Sequence, residues 1–224
     1  MENTNYKLLS FDKIPSTQTT AAALIRDGKI NGKTIILADK QSAGRGRYRR
    51  VWISEPGNLY ASFVYNCTER DSRVSYAIAV AVANTLIEFG LQPEIKWPND
   101  ILIDGKKICG ILIEYLSDFI IIGIGINIKS NPKIRDTQTT KISDYNSRIS
   151  RDDVLGALIK NMNKNIDRDF LPIKKQWTNL AMNLGEEIIY RGINAVLCGL
   201  NDDGGLILRR GMEYITIYGD EISY

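Results

Sequence analysis

Apolar positions along the chain fall into short runs with two different periods. Thr17 to Asp27 is alanine-rich, follows Ser16 and ends at Gly28, the pattern of a short capped helix. Thr34 to Ala38 and Asn58 to Tyr65 are continuous runs of strand length, the second rich in aromatic residues. From Val74, apolar residues recur at 77, 78, 81, 82, 86 and 89 and stop at Gly90, a helical spacing. Ile95 to Trp97, Ile101 to Ile103, Ile108 to Tyr115 and Phe119 to Ile128 read as strands. An Asp104-Gly105 turn and a Ser117-Asp118 turn punctuate them.

Asn131 to Asn146 is polar with little periodicity and is expected to be a long mobile loop. Ser150 with Asp153 predicts a capping box opening a helix to about Phe170, and Pro172 starts another short one. After Gly185 the chain turns to closely spaced strands broken by Gly192, the Asn201-Asp-Asp-Gly-Gly205 turn, Gly211 and Gly219. The expected fold is α+β: a mixed, largely antiparallel sheet with helices, over 1–183, plus a small C-terminal β-barrel over 184–224.

Composition narrows the chemistry. The 224 residues suffice for a core without disulfide or metal staples, and they contain no histidine. Ser-His-Asp and Cys-His hydrolysis, His-ligated zinc and phosphohistidine transfer are thereby excluded. The three cysteines, Cys67, Cys109 and Cys198, form no CxxC pair, which fits a reducing compartment. No signal peptide is evident in Met1 to Ser10, and no apolar run approaches the ~20 residues of a membrane span. A cytoplasmic protein without membrane partners is expected.

The net charge of +3 is concentrated: Lys40 to Arg50 carries five basic residues and no acid, and the remainder has 24 basic against 26 acidic residues. One focused anion site fits this better than a broadly basic nucleic-acid surface. In Gly44-Arg-Gly-Arg-Tyr-Arg-Arg50, glycines let backbone wrap a ligand while arginine forks meet phosphate or carboxylate oxygens. With Tyr48 and Trp52 as flat faces, the same run suits a single-stranded nucleic-acid arm. Lys96-Trp-Pro-Asn-Asp100 gathers a cation, an aromatic and two side chains suited to hydrated Mg²⁺ or a phosphate; its alternative is a turn with Trp97 as core filler. Asp27 to Thr34 misses a phosphate-binding loop, and Gly123-Ile-Gly-Ile-Asn127 lacks the third glycine of a dinucleotide fingerprint.

Together these blocks resemble the biotin protein ligase family. Gly44-Arg-Gly-Arg47, Lys96-Trp-Pro-Asn-Asp100, Lys107-Ile-Cys-Gly-Ile-Leu-Ile-Glu114 and Gly123-Ile-Gly-Ile-Asn127 stand in the family's order and spacing. Ser54 to Ser62 resembles the segment after the family's Trp, and Pro15-Ser-Thr17 its N-terminal Ser-Thr. The resemblance implies a class II synthetase-like biotin-lipoate ligase catalytic domain with an SH3-like C-terminal barrel. The implied reaction is ATP-dependent: biotin becomes biotinyl-5′-AMP, then passes to a lysine of a biotin carboxyl carrier protein domain of a biotin-dependent carboxylase.

By match to the family motifs, Ser16, Thr17, Gln41, Gly44, Arg45, Lys107 and Gly110 would contact biotin. Arg47, Arg50, Trp52, Asn99, Lys107 and Asn127 would surround the adenylate, and Asp100 would meet Mg²⁺. Lys107, Arg47 and Arg45 would be catalytic, with Lys107 bridging the biotin carboxylate and the α-phosphate. Three departures stand out: Arg49 where the family has Gly, Gln18 where it has Asn, and Lys129 where it has a second Asn. Ser16-Thr17 comes after fifteen residues, which implies the short form without an N-terminal winged-helix DNA-binding domain. The resemblance also implies no nucleic-acid partner and allows homodimers through a sheet edge. The nearest enzymatic rival, a lipoate ligase or octanoyl transferase, carries a histidine in its glycine-rich motif.

Overall fold

The structure, a computed structural model, describes residues 6–134 and 137–218. By internal contacts the chain divides into two units, Met1–Arg70 with Gly105–Ile159 and Asp71–Asp104 with Lys160–Tyr224.

In the first unit, β1 (Lys7–Ile14), α1 (Thr17–Arg26), β2 (Thr34–Gln41) and β3 (Leu59–Asn66) follow in order. The second unit's β4 and β5 intervene in sequence, and β6 (Lys106–Leu116) and β7 (Phe119–Ile126) then complete the sheet. Its strands here lie in the order β1-β2-β3-β7-β6. Only β1 and β2 pair in parallel, because α1 carries the chain back across the sheet between them. The other neighbours are antiparallel. Strand β3 is central, and all its residues but Asn66 are buried, so it reads as a continuous apolar run rather than an alternating one. Beneath α1, Ala21, Ile25 and Ile30 pack with Ile36, Val64 and Ile121.

The predicted capping box is present at the start of α3 (Arg151–Asn165). Ser150 Oγ accepts from the Asp153 amide at 3.1 Å and Asp153 Oδ2 accepts from the Ser150 amide at 2.9 Å. The helix ends at Asn165, short of the expected Phe170, because α4 begins at Phe170 and the intervening Asp167-Arg168-Asp169 forms the turn. Asn131 to Asn146 also departs from expectation. Thr140 and Ile142 are buried, and the backbone at 138–142 bonds to Lys107 and Asn127. Residues 135 and 136 of that stretch, and Gly219, lie outside the described residues.

The second unit centres on α2 (Val74–Glu88), apolar on every side and buried from Tyr76 to Leu86 except at Asn84. Against it lies α4 (Phe170–Leu180), begun two residues before Pro172, with the Tyr76 and Trp177 rings edge to face at 5.4 Å. A tight hairpin joins β4 (Pro93–Lys96) to β5 (Asp100–Ile103), pairing Lys96 with Asp100. The last four strands, β8 (Glu187–Tyr190), β9 (Ile193–Leu200), β10 (Leu206–Arg210) and β11 (Glu213–Ile217), form an antiparallel sheet in sequential order. No helix among the described residues is long and apolar enough to cross a membrane.

Candidate active site

Alternation along the strands gives the α1-facing side of the first unit's sheet two halves. Under α1 it is apolar. Further along, the row Ser62, Gly123, Leu112 and the row Tyr60, Gly125, Gly110 across β3, β7 and β6 leave a floor of three glycines between larger side chains. Two neighbours occupy the space. The Trp52 ring lies over Gly110 and Gly125, where an added Cβ would stand 2.7 and 2.5 Å from ring atoms. Gln18 lies over Gly123, where a Cβ would be 2.9 Å from its Oε1. Close approach, not a turn, is what requires glycine at these strand positions.

A chain of hydrogen bonds borders this floor. Ser16 takes the N-cap position of α1 in extended conformation, and its side chain does not cap the helix. Ser16, Thr17 and Gln18 are all buried. Gln41, at the end of β2, accepts from the Thr17 amide at 2.8 Å and from its hydroxyl at 3.2 Å. The Gln41 amide donates to Ser54 Oγ at 2.8 Å, and Ser54 donates to the Trp52 carbonyl at 3.0 Å. Ser62 Oγ stands 2.8 Å from both Thr17 Oγ1 and Gln18 Oε1, so its one proton serves one of them at a time. Such a border presents fixed donors and acceptors that need no reorganisation to meet a polar ring.

The arginine run forms a tight hairpin beside it. Arg45 bridges Val51, the Gly46 amide donates to the Arg50 carbonyl at 2.8 Å, and the Trp52 amide donates to the Gly44 carbonyl at 2.9 Å. A Cβ on Gly44 would collide with the Trp52 carbonyl and lie 2.8 Å from Ser54 Oγ. At the tip, Tyr48 and Arg49 have φ of 51° and 61°, the left-handed region that disfavours side chains. Arg47 and Arg50 both lie against the Tyr48 ring, 5.0 and 5.8 Å from its centroid. Arg45 points elsewhere and grips Glu114 of β6 with a two-pronged bond of 2.7 and 3.3 Å.

Lys107 Nζ lies 5.4 Å from the Trp52 ring centroid. Its backbone is held on both sides by the 131–146 stretch: its amide donates to the Gln138 carbonyl at 2.9 Å and its carbonyl accepts from Thr140 at 3.0 Å. Asn127, just past β7, donates its side-chain amide to the Thr140 carbonyl at 3.0 Å. Its Oδ1 is buried without a hydrogen-bond partner, as is Trp52 Nε1. A buried polar atom left unmatched is costly unless a ligand or water meets it.

Of the residues expected from sequence, Ser16, Thr17, Gln41, Gly44, Arg45, Arg47, Arg50, Trp52, Lys107, Gly110 and Asn127 all belong to the first unit. Asn99 and Asp100 belong to the second, on the β4–β5 turn. There Trp97 is buried and donates from Nε1 to the Tyr76 hydroxyl at 3.2 Å, which in turn donates to the Gly204 carbonyl at 2.8 Å. Burial pushes the Tyr76 phenol up to about 12, so it serves as a neutral link. Trp97 therefore fills the core and fixes the turn that carries Asn99 and Asp100.

Glu114 and Asn58, like the border hydroxyls of Ser54 and Ser62, were given no site role from sequence. Glu114 ends the block from Lys107, but nothing along the chain says that it meets Arg45 and Gln18. Asn58 looked like part of a strand; its Oδ1 accepts from the amides of Ile128, Lys129 and Ser130 at 2.7, 2.9 and 3.2 Å, shaping the turn after Asn127. An Asn just before an apolar strand was the only available signal. Among the described residues no group of three His, Cys, Asp or Glu could hold a metal ion. The arginines and Lys107 can supply charge stabilisation to an anion.

Comparison with known proteins gives the arrangement a family. Residues 10–129 match the Biotin/lipoate A/B protein ligase family. The bifunctional ligase/repressor BirA of Bacillus subtilis (strain 168) is 34% identical over 96% of this chain and 73% of its own length. The biotin–[acetyl-CoA-carboxylase] ligase of Paracoccus denitrificans is 30% identical over 85% of this chain and 90% of its own. The solved structure of the biotin protein ligase from Aquifex aeolicus, in complex with biotin and ATP, superposes with a TM-score of 0.86 at 28% identity, covering 97% of both chains. With the family match spanning more than half the residues and the glycine floor and arginine hairpin inside it, the chain is a ligase and belongs to the biotin/lipoate A/B protein ligase family.

Proposed function

We propose that this ligase activates biotin with ATP and transfers it to a lysine of a carrier domain. In the first step a biotin carboxylate oxygen attacks the α-phosphorus, the bond to the bridging oxygen breaks, and pyrophosphate leaves. In the second, the carrier lysine's amine attacks the carbonyl of biotinyl-5′-AMP, an amide forms, AMP departs and the amine loses a proton. Neither step needs an imidazole; both need charge neutralisation and alignment.

The observation that carries this reading is the hydrogen-bonded border of buried Thr17, Ser54 and Ser62 with half-buried Gln41, around a floor where Gly110 faces Gly125. A cyclic urea presents two N–H donors and one strong acceptor, and hydroxyl and amide groups held in place match both. Ser16, Thr17, Gln41, Gly44, Arg45 and Gly110 are the proposed biotin contacts. Lys107 is the proposed bridge between the biotin carboxylate and the α-phosphate. Arg47, Arg50, Trp52, Asn99 and Asn127 are the proposed adenylate contacts, and the unmatched Asn127 Oδ1 favours a donor from the nucleotide. Magnesium enters as the complex with ATP, the form in which the nucleotide is substrate, with Asp100 as its protein contact.

The partner in this proposal is the biotin carboxyl carrier protein domain of a biotin-dependent carboxylase, and the compartment is the cytoplasm. The proposal treats 1–183 as the catalytic domain and 184–224 as a small β-domain. ATP–pyrophosphate exchange measured with biotin, with lipoate and with no acid tests the reading. Exchange dependent on biotin alone is expected; exchange driven by lipoate overturns it.

A further inference from the structure

Glu114 lies on the same side of the sheet as the glycine floor, four residues along β6 from Gly110. Its carboxylate is the junction of two parts that the sequence keeps apart. Oε1 accepts from Arg45 Nη2 at 2.7 Å, and Oε2 accepts both from Arg45 Nη1 at 3.3 Å and from Gln18 Nε2 at 2.9 Å. The arginine hairpin and the start of α1 are therefore tied to one strand by one side chain.

We propose that Glu114 is a positioning residue for the activation step: its carboxylate holds Arg45 in one orientation beside the glycine floor. This rests on the reading of the site as one that activates an acid. A guanidinium has five N–H groups, and Glu114 engages two of them, so three remain for an incoming carboxylate or phosphate. The planar fork fixes the direction in which those three point, which a lone flexible arginine would not do. Glu114 has a second effect, on Gln18. Its Oε2 joins the Leu112 and Ile121 carbonyls in accepting from Gln18 Nε2, and together the three acceptors keep the amide nitrogen toward β6 and Oε1 toward Ser62. Gln18 Oε1 is thereby held as one of two acceptors, with Thr17 Oγ1, within reach of the Ser62 hydroxyl. Arg45 and Glu114 side chains are 43% and 32% exposed, so solvent screens the pair. Its worth lies in orientation rather than in stability.

The test is a double-mutant cycle over Arg45 and Glu114, read by biotin-dependent pyrophosphate exchange. Tryptic nicking at Arg47, Arg49 and Arg50 is followed in parallel without substrate. Glu114→Ala is expected to raise the KM for biotin about tenfold, leave the KM for ATP within about twofold, and speed nicking. In the Arg45→Ala background the same change is expected to add less than about twofold, because the partner is already gone. Glu114→Gln, which keeps the shape and one acceptor, is expected to lose less than Glu114→Ala.

An unchanged biotin KM in Glu114→Ala overturns the proposal, as does an equal loss in both backgrounds. If another acid supports exchange in place of biotin, the biotin reading fails while the cycle run with that acid still decides Glu114. Faster nicking without exchange from any acid in the parent removes the activation reading, and this role with it.

Discussion

The arginine hairpin and the glycine floor adjoin one another and are built by opposite rules. The floor is open only at its three glycines, and its shape comes from strand register: Gly110 faces Gly125, and the partners that fill it, Trp52 and Gln18, arrive from elsewhere. The hairpin is mostly side chain, exposed, cationic and held at its tip in left-handed backbone. A preorganised floor recognises shape and hydrogen-bond pattern. A charged, strained loop responds to an anion, and conformations of that cost persist where function requires them. Under the proposed function this difference would be a division of labour, the floor and its border selecting the acid and the hairpin enclosing the phosphate.

The strongest way to break this division is to build on the floor. Gly125→Val would drive a side chain into the Trp52 ring. A loss of about 1–3 kcal/mol in stability is expected from the overpacking, measured by urea unfolding. A fall of roughly 100-fold in pyrophosphate exchange is expected if the ring is displaced by an ångström. Next comes the border. Gln41→Ala leaves the Thr17 amide without its acceptor, while the Thr17 hydroxyl keeps Ser62 and Ser54 keeps the Trp52 carbonyl, at an expected cost of about 1–3 kcal/mol. Biotin KM should rise more than ATP KM if the border belongs to the acid.

A smaller effect separates buried polarity from exposed charge. Burial pushes the Tyr60 phenol up to about 12, and neutral Tyr60 donates to the Glu55 carbonyl at 2.8 Å. Because the native value lies above 10.0, the contribution of the phenol is complete below pH 10 and is lost as pH rises toward 12. Tyr60→Phe is expected to be about 1 kcal/mol less stable than the parent at neutral pH. Thermal melts in alkaline buffers should show that gap closing, and a gap that persists would contradict the assignment. The smallest change concerns the hairpin. Arg49→Gly relieves a left-handed backbone and is expected to stabilise the protein by about 0.5–1 kcal/mol, the gain being reduced by the freedom glycine has when unfolded. If exchange also falls, the charge of Arg49 matters beyond its conformation.

Several elements were legible because their signals are local. The Ser150–Asp153 cap, the apolar spacing of α2 and the Asp104-Gly105 turn, with φ of 51° and 70°, depend on neighbours within a few residues. The end of α3 was read too far because its polar Asp167-Arg168-Asp169 turn has no glycine or proline to mark it. The 131–146 stretch was read as mobile because its polar residues lack periodicity. What anchors it is backbone bonding to Lys107 and Asn127, which composition does not encode.

The site divides along the same line. By itself, the sequence determined the chemical inventory: no histidine, one cationic run, glycines at strand spacing, and motif blocks that resemble a ligase family. It also supplied the reason for caution at Arg49, which the structure turns into a backbone angle of 61°. Only the tertiary structure decided that Gly110 and Gly125 face each other beneath Trp52, that Gln41 takes up the amide of Thr17, and that Glu114 joins Arg45 to Gln18. These pairings span from 15 residues of chain, for Gly110 and Gly125, to 96, for Gln18 and Glu114. They follow from strand register and helix placement, which fix where a side chain ends up without being written in the residues next to it.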